Sequence, residues 1–183
     1  MFVNSPRIVG AIAPSGSALA AEVVRQAGVK RARTVIELGG GTGAFTRSIV
    51  DHAREDALIL SIEINPTFAE ILASRFARVQ VVADSAERMG EYLRLAGRTK
   101  ADCIVSGLPW ASFEVKQQLR LLHAIRGVLA DGGSFATFAY VHAWLLPAAQ
   151  RFRTCLYSIF SKVRITPVVW RNMPPAYVYR CLR

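Results

Sequence analysis

Thr34-Val35-Ile36-Glu37-Leu38-Gly39-Gly40-Gly41-Thr42-Gly43 runs from a short apolar stretch straight into a glycine-rich turn. Val35 to Leu38 has the length and composition of a buried strand, and residues from about Ala44 to Ala53 have helical spacing. A glycine turn between such a strand and helix lets the backbone pass close to a ligand, because no side chain occupies that space. This strand–turn–helix unit predicts an open α/β sheet, and the rest of the chain is read outward from it.

Downstream, strand-like and helix-like segments alternate, as they do in a mostly parallel sheet with helices on both faces. Ala57 to Ile62 is a second strand ending at Glu63. Pro66 opens a helix to about Phe76, near the first turn where a missing amide hydrogen costs nothing. Val79 to Val82 is a third strand ending at Asp84, and a helix from about Ala86 to Leu95 follows. Cys103 to Val105 is a fourth strand, leading into the loop Ser106-Gly107-Leu108-Pro109-Trp110. Phe113 to Leu129 has helical spacing, Asp131-Gly132-Gly133 reads as a turn, and Ser134 to Tyr140 is a fifth strand. A short helix around Leu145 to Phe152 then gives way to β-like runs at Tyr157 to Trp170 and Tyr177 to Leu182. The linker Asn172-Met173-Pro174-Pro175 is short enough to join an antiparallel pair. Upstream, residues 2 to 13 read as a short helix with Phe2, Val3, Val9 and Ile12 on one side. Pro14 stops it, and Ala18 to Ala27, closed by Gly28, is a second helix.

The chain has 183 residues, enough for one domain that buries about two-thirds of its extended surface. With 52% apolar and 20% charged residues it has the composition of a packed core, which excludes a disordered chain. The net charge of +10 attracts polyanions, either nucleic acid or an anionic membrane. The excess is uneven: no acidic residue follows Asp131, while Arg151, Arg153, Lys162, Arg164, Arg171, Arg180 and Arg183 do. Cys103, Cys155 and Cys181 lack metal-ligand spacing and read as buried free thiols, so no metal is expected. The amino terminus lacks the order of a signal peptide, and Phe135 to Ala149, with His142 and Pro147 inside it, is too short to span a bilayer. A soluble or peripheral protein is the expectation.

Three acidic positions bear on the glycine turn: Glu37 in the strand, Glu63 at the second strand end and Asp84 at the third. A carboxylate only accepts hydrogen bonds, which suits it to a pair of ribose hydroxyls. With Ala44 where a dinucleotide fingerprint has its last glycine, spacing alone leaves a nicotinamide cofactor open.

Glu37-Leu38-Gly39-Gly40-Gly41-Thr42-Gly43 resembles the first motif of class I S-adenosylmethionine (SAM)-dependent methyltransferases. That resemblance implies a Rossmann-like seven-stranded α/β sheet, with helices on both faces and an antiparallel last strand. The catalytic core would take in residues 34 to 183, with residues 1 to 28 as an amino-terminal helical segment in the same domain. The cofactor would be SAM, leaving as S-adenosylhomocysteine, held by Glu37, Gly39, Gly40, Gly41, Gly43, Glu63, Ile64, Asp84, Ser85 and Ser106. Within that set the glycine turn cradles the amino acid and ribose, Glu63 takes the ribose hydroxyls, Asp84 the adenine amine, and Ile64 borders the adenine.

Ser106-Gly107-Leu108-Pro109-Trp110 partly resembles the Asn-Leu-Pro-Tyr motif of ribosomal RNA adenine dimethyltransferases, with Gly107 at the asparagine position and Trp110 at the aromatic one. A resemblance over nearly the whole chain is to the short bacterial phospholipid N-methyltransferases that act on phosphatidylethanolamine. It is carried by Arg7-Ile8-Val9-Gly10-Ala11-Ile12-Ala13-Pro14-Ser15, the glycine turn, Val105 to Pro109, Phe138-Ala139-Tyr140 and Trp170-Arg171-Asn172-Met173-Pro174-Pro175-Ala176.

The implied reaction is methylation of the amine of phosphatidylethanolamine, or its partly methylated forms, toward phosphatidylcholine. It would take place at an anionic phospholipid surface, by a cytoplasmic protein held peripherally on the inner face of the membrane. Carbonyls of Gly107 and Leu108 would orient the amine, with Tyr140 and His142 beside it; Arg7, Pro109, Trp110, Trp144 and Arg171 would contact the lipid. An RNA adenine N6-methyltransferase, an enzyme for another amine-bearing lipid such as an ornithine lipid, and a cofactor-binding module without turnover are the alternatives.

Overall fold

The structure, a computed structural model, describes residues 16–183. The expected helix over residues 2 to 13, and Arg7 with it, lie outside the described residues. The first described helix, α1 (Ser17–Ala27), stops at Gly28, whose φ of +77° is the left-handed conformation that favours glycine.

Strands β1 (Thr34–Leu38), β2 (Leu58–Glu63), β3 (Gln80–Ala83), β4 (Ala101–Ser106) and β5 (Leu129–Tyr140) alternate with helices α2 (Ala44–His52), α3 (Pro66–Arg75), α4 (Met89–Leu95) and α5 (Val115–Val128). Helix α6 (Pro147–Ile159) and strands β6 (Lys162–Ile165) and β7 (Ala176–Leu182) complete the fold. The seven strands form one sheet in the order β3-β2-β1-β4-β5-β7-β6. Strands β1 to β5 run parallel to one another, and β7 lies between β5 and β6, antiparallel to both.

The sheet is buried on both faces, so its central strands read as continuous apolar runs. Leu19, Val23, Ile49 and Leu72 from α1, α2 and α3 pack against one face. Met89, Leu122, Ile125 and Leu156 from α4, α5 and α6 pack against the other. The chain leaves β1 toward β2 and returns later to place β4 on β1's other side. The loops after β1 and β4 therefore open next to each other, at the switch point where ligands bind in open α/β sheets.

Three sequence expectations change. Asp131-Gly132-Gly133 is not a turn between elements: β5 runs through it, and its pairing with β4 slips from Ala101↔Leu129 to Cys103↔Ser134. Helix α6 is longer than expected and includes Tyr157, because Ala149, Phe152, Cys155, Leu156 and Ile159 form a buried helical stripe that outweighs the β-preference of Tyr157 and Ile159. The strand-like run expected over Tyr157 to Trp170 therefore shrinks to β6 and an isolated bridge between Val169 and Ala176. Cys103, Cys155 and Cys181 are buried and unpaired.

Candidate active site

The glycine turn and the β4 loop touch. Gly107 N–H donates to the Leu38 carbonyl at 2.9 Å, which carries the β1–β4 pairing past the strand ends. A β-carbon on Gly107 would stand 2.7 Å from the Gly39 carbonyl oxygen, and one on Gly39 would stand 2.8 Å from Leu108 Cδ2. The first clash is with backbone and cannot be relieved by rotation; Leu108 could move aside, but Gly39 has a φ of +74°, the left-handed conformation that favours glycine. In this chain an asparagine at position 107 would therefore force the turn or the β4 loop to shift.

Glu63, 6% exposed, fastens the turn from the neighbouring strand. Its two carboxylate oxygens accept from Gly41 N–H and from Asn65 N–H, both at 2.9 Å. Each oxygen keeps a further acceptor position. At Gly41, φ is +52° and an added β-carbon would meet nothing within 4 Å, so the turn borders open space there. Ile64 beside it is 70% exposed, an apolar face available to a flat ring.

Asp84 ends β3, with its N–H donating to the Glu63 carbonyl at 3.1 Å. Its carboxylate accepts from Ser85 N–H at 2.6 Å, from the Tyr92 hydroxyl and from the Arg88 guanidinium. The Tyr92 hydrogen bond, then that of the Ser85 amide, holds Asp84 below the usual carboxylate range. The Ser85 side chain caps the short turn Ala86–Arg88 by accepting from Glu87 N–H at 3.3 Å.

Glu37 has a different place from the one expected. It is completely buried under the turn, where Ser61 Oγ donates to it at 2.6 Å and Thr46 Oγ1 at 2.8 Å. Burial pushes its pKa up to about 7, against the pull of those hydroxyls and with a further push from the Glu63 charge. As arranged, Glu37 joins β1, α2 and β2 beneath the turn and has no surface for a ligand. Thr46 and Ser61 were missed in the sequence; their signal was two hydroxyls placed on otherwise buried element faces.

Beside the β4 loop, where the acceptor was expected, runs a row of aromatic rings. Phe45 lies 3.4 Å from the position of a β-carbon on Gly107. From Phe45 the rings continue through Phe138 (5.6 Å between centroids) and Tyr140 (5.5 Å) to a stacked His142 (5.6 Å, 12° between planes). Tyr140 is half-buried, which raises its pKa, and His142 is exposed. Phe45 and Phe138 were not assigned as lining residues from the sequence.

Trp110 and Ser106 are corrections of the same kind as Glu37. Trp110, expected in contact with substrate, is 3% exposed and stacks on Phe152 at 4.9 Å, with Phe135 and Phe113 at its edges. That packing takes its ring faces into the core. Ser106 is buried, and its Oγ accepts from Leu108 N–H at 3.2 Å and Trp110 Nε1–H at 3.1 Å. Thr137 Oγ1 donates to the Ser106 carbonyl at 3.1 Å, and Gln118 Nε2 to the Trp110 carbonyl at 2.8 Å. These bonds make the loop rigid from below. Pro109 stays half-buried in it.

Trp144 is 37% exposed, with the Arg153 guanidinium 4.3 Å above its ring and Tyr177 against its edge. Arg171 is exposed. Next to it Asn172, 2% exposed, accepts from Gly16 N–H at 2.8 Å and donates to the Pro174 carbonyl at 2.6 Å. Asn172 thus ties Gly16, at the start of the described residues, to the segment Trp170–Ala176, and this contact had no signal in the sequence.

The glycine turn, the open space at Gly41, and carboxylates at two successive strand ends fit SAM. A methyltransferase domain model matches residues 35–133. An ornithine lipid N-methyltransferase from Singulisphaera acidiphila is 34% identical over 98% of this chain and 91% of its own length. Among solved structures, the N-methyltransferase NodS from Bradyrhizobium japonicum superposes with a TM-score of 0.68 at 13% identity, covering 90% of this chain and 93% of that one. The O-methyltransferase TomG from Streptomyces achromogenes, solved with SAM, has a TM-score of 0.68 at 17% identity, covering 100% of this chain and 82% of that one. These two likenesses bear on the fold. With the domain model and the whole-length relative, they establish that the chain belongs to the class I SAM-dependent methyltransferases.

Proposed function

We propose that the chain methylates the amine of an ornithine lipid at an anionic membrane surface. The observation that carries this reading is the 34% identity, over nearly its whole length, to an enzyme named for that substrate. It moves ornithine lipid ahead of phosphatidylethanolamine, which the sequence motifs favoured. The proposed attachment is peripheral, on the cytoplasmic face, and no helix among the described residues is long and apolar enough to cross a membrane.

Bound SAM supplies a methyl group on a sulfonium, whose departure needs no acid. The chain's own residues have three tasks: hold the cofactor, align the amine and keep it unprotonated. Glu63 accepts from the ribose hydroxyls, Asp84 from the adenine amine, and Ile64 covers the ring. In the β4 loop, the Leu108 carbonyl already accepts Trp110 N–H and the Pro109 carbonyl accepts Ser112 N–H, both at 2.9 Å. The Gly107 carbonyl is therefore assigned to an amine hydrogen, which turns the nitrogen lone pair away from it. The cofactor held there would supply an electrophilic methyl carbon for that lone pair and would leave as S-adenosylhomocysteine, its sulfur keeping the former bonding pair. The proton lost by nitrogen passes to water, with exposed His142 as relay. Tyr140 offers its ring face to the substituted ammonium. Arg171 pairs with the anionic group of the lipid head, whose carboxylate suits a guanidinium as well as a phosphate would.

The test is methyl transfer from labelled SAM to anionic vesicles carrying ornithine lipid or phosphatidylethanolamine, beside unmodified ribosomal RNA. Label in ornithine lipid is expected, and label confined to RNA would overturn the reading. Arg171→Leu should lower lipid use about tenfold, the loss of one exposed charge-assisted contact, while leaving cofactor affinity intact. A matched loss of both would remove Arg171 from the lipid site.

A further inference from the structure

We infer that two loops at the carboxyl edge of the sheet, residues 141–146 and 166–175, form one surface that docks into an anionic lipid bilayer and turns the active site toward it. The inference rests on the lipid reading above and deepens it by naming the contact face.

The loops are neighbours by construction. Tyr140 pairs with Ala176 across β5 and β7, and Val141 N–H donates to the Pro175 carbonyl at 2.9 Å. Between them they expose Leu145 (76%), Leu146 (52%), Trp170 (72%), Met173 (81%) and the partly covered Trp144 (37%). Other large exposed apolar residues, such as Ile71, Leu95 and Tyr157, lie singly on helices. Folding normally removes such groups from water, and clustered exposure marks a surface that meets something apolar. Tryptophan suits the membrane interface in particular, because its ring is apolar and its N–H is not.

Charge selects the occupant. The chain carries no acidic residue after Asp131, and Arg153 and Arg171 stand at the rim of the patch. A second copy meeting this face through a two-fold axis would bring arginines against arginines with no carboxylate from either loop between them. Anionic head groups around an apolar interior match both parts of the surface, with arginines in the head-group layer and side chains of Leu145, Trp170 and Met173 below it.

Two of the chain's three tryptophans lie in the patch, while Trp110 is in the core. The full chain is therefore its own depth probe. On vesicles of phosphatidylglycerol and phosphatidylcholine with brominated acyl chains, bound protein should lose most of its tryptophan emission. Trp144→Phe with Trp170→Phe should leave only unquenched Trp110. The variant Leu145→Ser/Trp170→Ser/Met173→Ser should lower vesicle partitioning about tenfold, while retaining S-adenosylhomocysteine affinity and turnover of detergent-dispersed ornithine lipid. Wild-type protein that stays off the vesicles, or binds them unquenched, overturns the docking face. So does a lipid-independent emission change that rises with protein concentration, the sign of a second copy. Those outcomes leave lipid turnover in detergent to be read separately; quenching without such turnover supports the face and removes the proposed acceptor.

Discussion

The carboxyl edge of the sheet has two halves of different chemistry. Over β1, β2 and β3 each functional group is fixed by short-range polar contacts: Glu63 by two amides, Asp84 by an amide, a phenol and a guanidinium, Glu37 by two hydroxyls. At the far ends of β5 and β6 and the start of β7 there is no carboxylate, since none follows Asp131 near the beginning of β5, and the edge ends in exposed apolar and basic side chains. A cofactor that is the same in every turnover permits a preformed polar mould. The proposed lipid acceptor would require a surface that fits the membrane as well as the molecule.

The largest effect should come from the mould. Glu63→Gln replaces an acceptor-only group with an amide that has one acceptor oxygen for Gly41 N–H, Asn65 N–H and two ribose hydroxyls. Losing about two charge-assisted hydrogen bonds corresponds to about 100-fold weaker binding of S-adenosylhomocysteine. Calorimetry would read this directly, and unchanged affinity would mean that the acid fastens the turn without touching the ribose. Vesicle binding, which belongs to the other half, should not move.

Glu37 gives the polar half a pH-dependent contribution to stability. Its carboxyl titrates at about 7 in the fold and near 4.5 when unperturbed. Between those values the folded chain keeps a proton that the unfolded chain has released. Stability contributed by this group is therefore complete below about pH 4.5 and is lost as pH rises toward 7, by about 3 kcal/mol. Glu37→Gln, with a permanently neutral side chain, should flatten that loss. Urea titrations at the two ends of the window test it; parallel curves for variant and parent would show that Glu37 is already ionised in the fold.

The two halves also differ in how far they could be read from the sequence. Strand order apart, the cofactor half was legible because its signals are local: an apolar run, a glycine turn in register after it, and acids at the next strand ends. What failed there was Glu37, since a strand buried on both faces does not reveal whether a side chain meets the ligand or lies beneath it. On the acceptor side the errors were tertiary. Trp110 beside a proline in a loop looked like a lining residue, and only the packing of Phe152 and Phe135 on it places it in the core. Tyr157 looked extended until the helical stripe of α6 fixed its neighbours. Asn172 was quoted within a motif, but its bond to Gly16 spans most of the chain and leaves no periodic trace.

Gly107 sits on the seam between the halves, and substituting it measures how tightly they are coupled. Gly107→Asn recreates the first residue of the adenine-enzyme motif, yet its β-carbon would stand 2.7 Å from the Gly39 carbonyl oxygen. That neighbour is backbone in the cofactor turn and cannot rotate away, so the turn or the β4 loop must shift. The expected cost is about 2 kcal/mol, as for other overpacked sites, together with a fall in turnover larger than the fall in cofactor affinity. Gly107→Ala carries the same β-carbon without the amide and should lose as much stability. If alanine is tolerated and asparagine is not, the obstacle is the amide group itself; if both are tolerated at full turnover, the two loops are not locked against each other and the acceptor half can be reshaped without disturbing the cofactor half.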